Sequence, residues 1–377
     1  KWTSIEVPTW SLLLAESCRR VGYDINILDA NAERLSDEES LQRIIDYKTK
    51  LVCFVVYGQN PNAGTTQMAG AIKLAQLIKE NTNVKVAFIG SHTSALPEEV
   101  LSYKCVDYVM VGDGVYALRE LLARQNKNED LDKIGGLGWK NNFGFNCING
   151  QGKLVPQDRM DIDLPGYAID LLPFKNKPLD LYRAHIWHCD FKDEYRTPSF
   201  ALYTSLGCQF KCEFCMINII YKTNIDNSVS SQYSGMRFWS QAKVLSWYDE
   251  LVKLGCNTIR ISDELFFLNK KYFEPILKGL SERQYNLHQW AYARVDTVRE
   301  KFLELFKKAG IDWLALGIES ANQEVRQEVT KGSYQNINIR DVIKVCRDFD
   351  INIIGNYIYG LPGAVSYTHL TLPTKRI

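Results

Sequence analysis

The chain has 377 residues, 46% of them hydrophobic and 24% charged, with a formal net charge of +1. That composition belongs to a folded globular protein long enough for two or three cores. It carries no block of Lys and Arg that would track a nucleic acid or an anionic membrane, and its longest apolar runs, such as "LVCFVVYG", fall far short of the ~20 residues a spanning helix needs.

Both ends read as cut. The sequence opens at Lys1 and almost at once enters "PTWSLLLAESCRRVG", where Leu12, Leu13, Cys18 and Val21 predict a helix over 9–22. At the other end, residues 366–377, "SYTHLTLPTKRI", resemble a translated sequencing-adaptor remnant and are set aside from the fold.

After the first helix, "YDINILDA" predicts a strand, then a helix is expected around 37–47. "KLVCFVVYG" reads as a strand buried on both faces. The helix "QMAGAIKLAQLIKEN" leads to the strand "VKVAFIG", the short helix "LPEEVLSY" leads to "VDYVMVGDG", and "VYALRELLARQ" closes the series. Strands alternating with helices in this way predict a doubly wound parallel sheet over residues 1–128. Three loops at its strand C-termini, "YGQNPNAGTT", "IGSHTSALP" and "VGDGVYA", are glycine-rich. Taken singly, each reads better as a tight strand-to-helix turn; three on one edge fit equally a place where backbone approaches a ligand in the crevice of an open α/β sheet.

The stretch "GSHTSALPEEVL…VDYVMVGDG" resembles the flavodoxin-like cobalamin-binding domain found at the front of many radical S-adenosylmethionine (SAM) enzymes. The resemblance implies a corinoid lying across the strand C-termini, with Gly58, Gln59, Asn60, Gly90, Ser91, His92, Gly112, Asp113 and Gly114 as its contacts. The Asp-x-His-x-x-Gly motif of other cobalamin proteins is absent, and "EVPTWSLL" stands where it would fall. Cobalt held here would therefore lack a histidine ligand from that motif.

Residues 129–195 form an expected connector. "IGGLGWKNNFGFNCINGQGKLVPQ" reads as a hairpin-like meander with Gly and Asn at its turns. His185, His188 and Cys189 suggest either a metal corner or packing, and packing is favoured because no second ligand pair stands nearby.

From residue 196 to about 365 a second α/β series begins with the strand "SFALYTSLG", and at its end Cys208, Cys212 and Cys215 follow as C-x-x-x-C-x-x-C. The other seven of the ten cysteines are dispersed singly, a pattern of reduced thiols in a cytoplasmic protein. Spacings of four and three also describe one face of a helix, so the thiols could be core filler. A structural zinc site would want a fourth protein ligand, and so would a ferredoxin cluster. Three thiolates alone suit a four-iron, four-sulfur cluster with one iron open. The run matches the motif of radical SAM enzymes, including Phe214 before the last cysteine.

Downstream, helix–strand pairs end at "SDE", "ARVD", "GIES" and "GLPG"; counted with the cysteine strand they give five β/α steps of a partial barrel with polar groups at strand C-termini. The radical SAM resemblance, spanning residues 8–363, assigns roles to them. Cys208, Cys212 and Cys215 bind the cluster. The free iron chelates the methionine part of SAM, and Phe214 packs near its adenine. "SDE" stands where the family carries Gly-Gly-Glu, so Glu264 would meet the substrate ammonium through its carboxylate, and Ser262 and Asp263 through backbone alone. Glu319 and Ser320 would contact ribose or methionine, and Arg294 the carboxylate.

The resemblance implies a [4Fe-4S] cluster, SAM and cobalamin as cofactors, and a flavodoxin- or ferredoxin-type electron donor. It also implies hydrogen abstraction from a small-molecule substrate by a SAM-derived radical, with methylation of carbon or phosphorus as the leading outcome. Two alternatives remain at this point: a radical SAM enzyme, such as a cyclase, whose front domain is empty of cobalamin, and a non-catalytic zinc module.

Overall fold

The computed structural model describes residues 3–57, 61–124, 131–141, 143–150, 152–210, 212, 214–215, 217–220, 236–320, 322–329 and 337–361. Two compact units emerge, one from Pro8–Pro178 and Met216–Arg237, the other from Lys1–Val7, Leu179–Cys215 and Phe238–Ile377.

The first unit is built on a five-stranded sheet in the order β1 (Leu51–Val56), β2 (Lys85–Gly90), β3 (Tyr108–Met110), β4 (Leu137–Lys140), β5 (Asn146–Ile148). The first three strands are parallel, while β4 and β5 add on antiparallel. The hairpin expected in the connector is thus the edge of this sheet. Lys140 fastens it, donating through Nζ to the Tyr103 and Val106 carbonyls at 2.7 and 3.1 Å.

Residues 86–90 of β2 are wholly buried because helices cover both faces. Ile72, Ala75 and Ile78 of the helix Pro61–Asn81 pack on Val86 and Phe88, and Val100 and Leu101 join the same core. Each buried Ile or Leu contributes about 2 kcal/mol. The expected helix near 37–47 is Asp37–Asp46, fixed at its start by a reciprocal capping box between Ser36 and Glu39.

One expectation fails. Residues 23–29 form no strand. The sheet starts at β1, and this segment has apolar alternation but no ladder partner; Leu28 instead packs against the core.

The second unit carries a fully parallel sheet in the order β12, β11, β10, β9, β6. These are Ser199–Leu202 (β6), Thr258–Ile261 (β9), His288–Arg294 (β10), Ile311–Glu319 (β11) and Asn352–Tyr357 (β12). Two-residue strands, Ser205–Leu206 (β7) and Arg237–Phe238 (β8), fall between β6 and β9 in sequence. The helices Gln241–Lys253, Lys270–Arg283, Leu303–Lys308 and Ile339–Asp348 connect successive strands, as a right-handed β/α series requires. All C-terminal strand ends therefore lie along one edge.

Candidate functional site

The cysteine loop leaves the sheet at Gly207, whose φ of 88° is one that a side chain would disfavour. Upstream, Thr204 is gripped on every polar atom. Its N–H and hydroxyl both donate to the Asp263 carboxylate at 2.6 Å, and its carbonyl accepts from the Tyr272 hydroxyl at 2.5 Å. The Ser205 hydroxyl also donates to Asp263 at 2.5 Å. Asp263 is fully buried, and burial pushes its carboxyl up to about 6 against the pull of those donors. From the sequence, Ser262 and Asp263 are expected at the substrate through their backbone. Their side chains have local work that is compatible with this, since the Ser262 hydroxyl accepts from Arg260 Nε at 3.1 Å.

Within the loop, the Phe210 N–H donates to Cys208 Sγ at 3.5 Å, and Cys215 N–H donates to the Cys212 carbonyl at 3.1 Å. Burial pushes the Cys208 thiol up to about 12. The Phe210 N–H lowers it, while Glu264, Cys215 and Cys212 raise it further, which places all three carboxylate and thiol groups within electrostatic reach of Cys208. Cys212 is raised by burial and lowered by Arg294. Among the described residues no three His, Cys, Asp or Glu side chains gather around a single ion position. Thiolates that each bind a different iron of a cluster stand farther apart than the ligands of one ion.

Other strand ends contribute in turn. Arg294, at the end of β10, grips Asp296 with Nε and Nη2, both at 2.9 Å, and stacks 3.7 Å over the Phe210 ring. Glu319 closes β11 at a ladder irregularity against β12, with φ 63°. A non-glycine residue held there is strained, and such strain gathers at functional positions. Burial raises its carboxyl to about 7, with Arg294 lowering it. Ser320 is buried, and its hydroxyl accepts from the Asn322 N–H at 3.2 Å, which makes it part of the turn into the next helix. Phe214 is 37% exposed.

In the first unit, Gly58, Gln59 and Asn60 lie outside the described residues. At Gly90 a Cβ would stand 2.1 Å from the Val56 carbonyl oxygen, so only glycine allows β2 to end against β1. The chain then turns directly into the short helix Ser91–Ala95 rather than a loop. There the Ser91 and Thr93 hydroxyls are buried without a hydrogen-bond partner. Buried orphan hydroxyls are costly, and a polar ligand tail threading beside them would relieve that cost. Sequence reasoning misses Thr93; the run of small polar residues after a buried strand is the signal that marks it. His92 bonds Thr65 and Glu99 at 3.2 and 3.3 Å.

The Asp113 side chain is engaged within the protein. Its carboxylate accepts from Val115 N–H at 3.2 Å and Val155 N–H at 3.3 Å, and pairs with Arg237 at 3.1 Å. The Gly112 N–H donates to the Ser94 hydroxyl at 3.1 Å, and the Gly114 carbonyl accepts from the Leu118 N–H at 2.9 Å. His185 and His188 take up local bonds of the packing kind: His188 Nε2 bonds the His288 carbonyl at 3.0 Å, and His185 lies 3.7 Å from Glu6.

Comparison with known proteins defines the class. Residues 3–122 match the model of the B12 binding domain, and residues 202–365 match that of the radical SAM superfamily. The chain belongs to the radical SAM proteins that carry a B12-binding domain in front. It is 28% identical over 361 residues to an uncharacterised methyltransferase of Pyrococcus horikoshii, covering 94% of this chain and 70% of that protein. It is 21% identical to the cytidylyl-2-hydroxyethylphosphonate methyltransferase of Streptomyces wedmorensis, with 93% and 68% covered. Among solved structures, the radical SAM methyltransferase TsrM of Kitasatospora setae, with cobalamin and a [4Fe-4S] cluster bound, superposes with a TM-score of 0.73. The identity there is 16%, with 97% of this chain and 67% of that one covered.

Proposed function

We propose that this chain is a cobalamin-dependent radical SAM methyltransferase acting on an unactivated carbon or phosphorus centre of a small-molecule substrate. The observation that carries the reading is the three-cysteine loop, set at the C-terminal edge of a parallel half-barrel among Glu264, Arg294 and Glu319. In the same chain, a B12-type sheet ends in buried hydroxyls that lack partners.

When bound, the cluster and SAM supply reductive cleavage and hydrogen abstraction, and cobalamin supplies a methyl group. The chain's own residues prepare for this. Cys208, Cys212 and Cys215 must lose their protons to bind iron, and burial opposes that at Cys208 and Cys212, so loading releases protons and is favoured by higher pH. The Phe210 N–H stabilises the Cys208 thiolate. Glu264 offers a carboxylate near Cys208 for an ammonium group, and Glu319, beside Cys212 and Arg294, offers a second for ribose or amine contact. Asp263 and Tyr272 fix Thr204 and hence the point from which the cysteine loop departs. Residues 1–128 form the corrin-holding part in this reading and 196–365 the cluster-holding part.

The electron donor is of flavodoxin or ferredoxin type. None of the ten cysteines is joined in a disulfide, which supports a reducing, cytoplasmic setting. Among the described residues no helix is long and apolar enough to cross a membrane.

Anaerobic reconstitution of the protein tests the reading. With reductant, SAM and cobalamin it yields 5′-deoxyadenosine and S-adenosylhomocysteine. A fully loaded cluster giving neither product contradicts it.

A further inference from the structure

We propose that Arg294 is a positioning residue of the cluster, holding the cysteine loop and favouring the reduced state of the metal centre, instead of a contact to the SAM carboxylate. The inference rests on the radical SAM reading of this chain. Three features of the guanidinium carry it.

Its Nε–Nη2 edge is taken by both oxygens of Asp296, each at 2.9 Å. That two-pronged grip sets the plane of the group and engages the edge a substrate carboxylate would use. One face lies 3.7 Å from the centre of the Phe210 ring, two residues after Cys208 and two before Cys212. This stacking ties β10 to the middle of the loop. The remaining nitrogen, Nη1, donates toward Cys212 Sγ at 3.8 Å.

Nη1 thus meets the sulfur while the Nε–Nη2 edge meets Asp296. Reduction adds one negative charge to a cluster. A buried cation donating to a ligand sulfur stabilises that charge, and hydrogen bonds to sulfur are a known lever on cluster potential. Arg294 is only 7% exposed, so solvent and salt screen little of the effect.

The test compares wild type, Arg294→Gln and Arg294→Lys in the full chain after anaerobic reconstitution, by iron content, thermal melting and a redox titration followed by electron paramagnetic resonance. Arg294→Gln is expected to lower the one-electron reduction equilibrium about tenfold, ~59 mV more negative. Arg294→Lys, which keeps charge but loses the fork and the stack, falls between the two. A loaded Arg294→Gln with the wild-type midpoint overturns the inference. If Arg294→Gln holds no iron, a lowered midpoint in Arg294→Lys supports it and an unchanged one overturns it. Loss of iron from both variants with melting unchanged supports the loop-holding role, whereas loss of iron together with the fold makes Arg294 structural and overturns it. A wild-type chain that takes up no four-iron cluster instead ends the functional reading beneath.

Discussion

The Asp263 carboxylate at the end of β9 receives both the backbone N–H and the hydroxyl of Thr204, each at 2.6 Å, across 59 residues of sequence. This clamp fixes the takeoff of the cysteine loop. Asp263→Ala leaves buried donors unanswered and is expected to cost about 3 kcal/mol of stability, with iron occupancy falling in parallel. Asp263→Asn keeps one acceptor and costs roughly 1 kcal/mol. Denaturant unfolding and iron analysis check both; equal losses in the two variants would remove the clamp's role.

The clamp also marks what the sequence could and could not reveal. Cys208, Cys212 and Cys215 are legible because a local spacing encodes their chemistry, and the helix near 37–47 because its pattern is local. Asp263 with Thr204, and Arg237 with Asp113, are pairings between distant segments that no local pattern announces. The segment 23–29 misleads because alternation alone does not make a ladder: β1 is an edge strand, yet 23–29 does not pair with it, and Leu28 packs into the core instead. The hairpin Leu137–Ile148 is recognisable locally, but its antiparallel docking on β3 depends on that strand's edge being open.

Acid sensitivity should report on His188. Buried and bonded to the His288 carbonyl, it is pushed down to about 4 by burial, from an ordinary 6.5. Between those values the unfolded chain binds a proton that the folded one refuses, so stability is full above pH 6.5 and is lost as pH falls toward 4. The loss amounts to roughly 3 kcal/mol at 1.36 kcal/mol per pH unit. His188→Gln should flatten that part of the stability–pH curve. An unchanged slope would show that other groups set it.

Cysteine substitutions should divide into two sets. Alanine at Cys208, Cys212 or Cys215 removes a cluster ligand and abolishes SAM cleavage. Alanine at Cys18 or Cys346, both buried and outside the three-cysteine motif, costs about 1 kcal/mol of packing and leaves cleavage intact once the protein is folded. Measured 5′-deoxyadenosine formation separates the sets, and equal loss in both would contradict the assignment.

The front domain offers a prediction with opposite signs. Thr93→Val removes a buried hydroxyl that has no partner, so the cobalamin-free protein should gain about 1 kcal/mol. The same change should weaken hydroxocobalamin binding about tenfold, if that hydroxyl meets the corinoid. Thermal melting and a visible-absorbance titration give the two numbers; stabilisation with unaltered affinity would make Thr93 a bystander.

The most direct trial of the three-cornered metal centre is an electron paramagnetic resonance spectrum of the reduced, reconstituted protein with and without SAM. An open iron predicts a one-electron cluster signal whose g-values shift when SAM is added, and the same shift should be lost with Cys212→Ala. A fully loaded cluster whose signal ignores SAM would mean that its fourth corner is already closed, and the account would not stand.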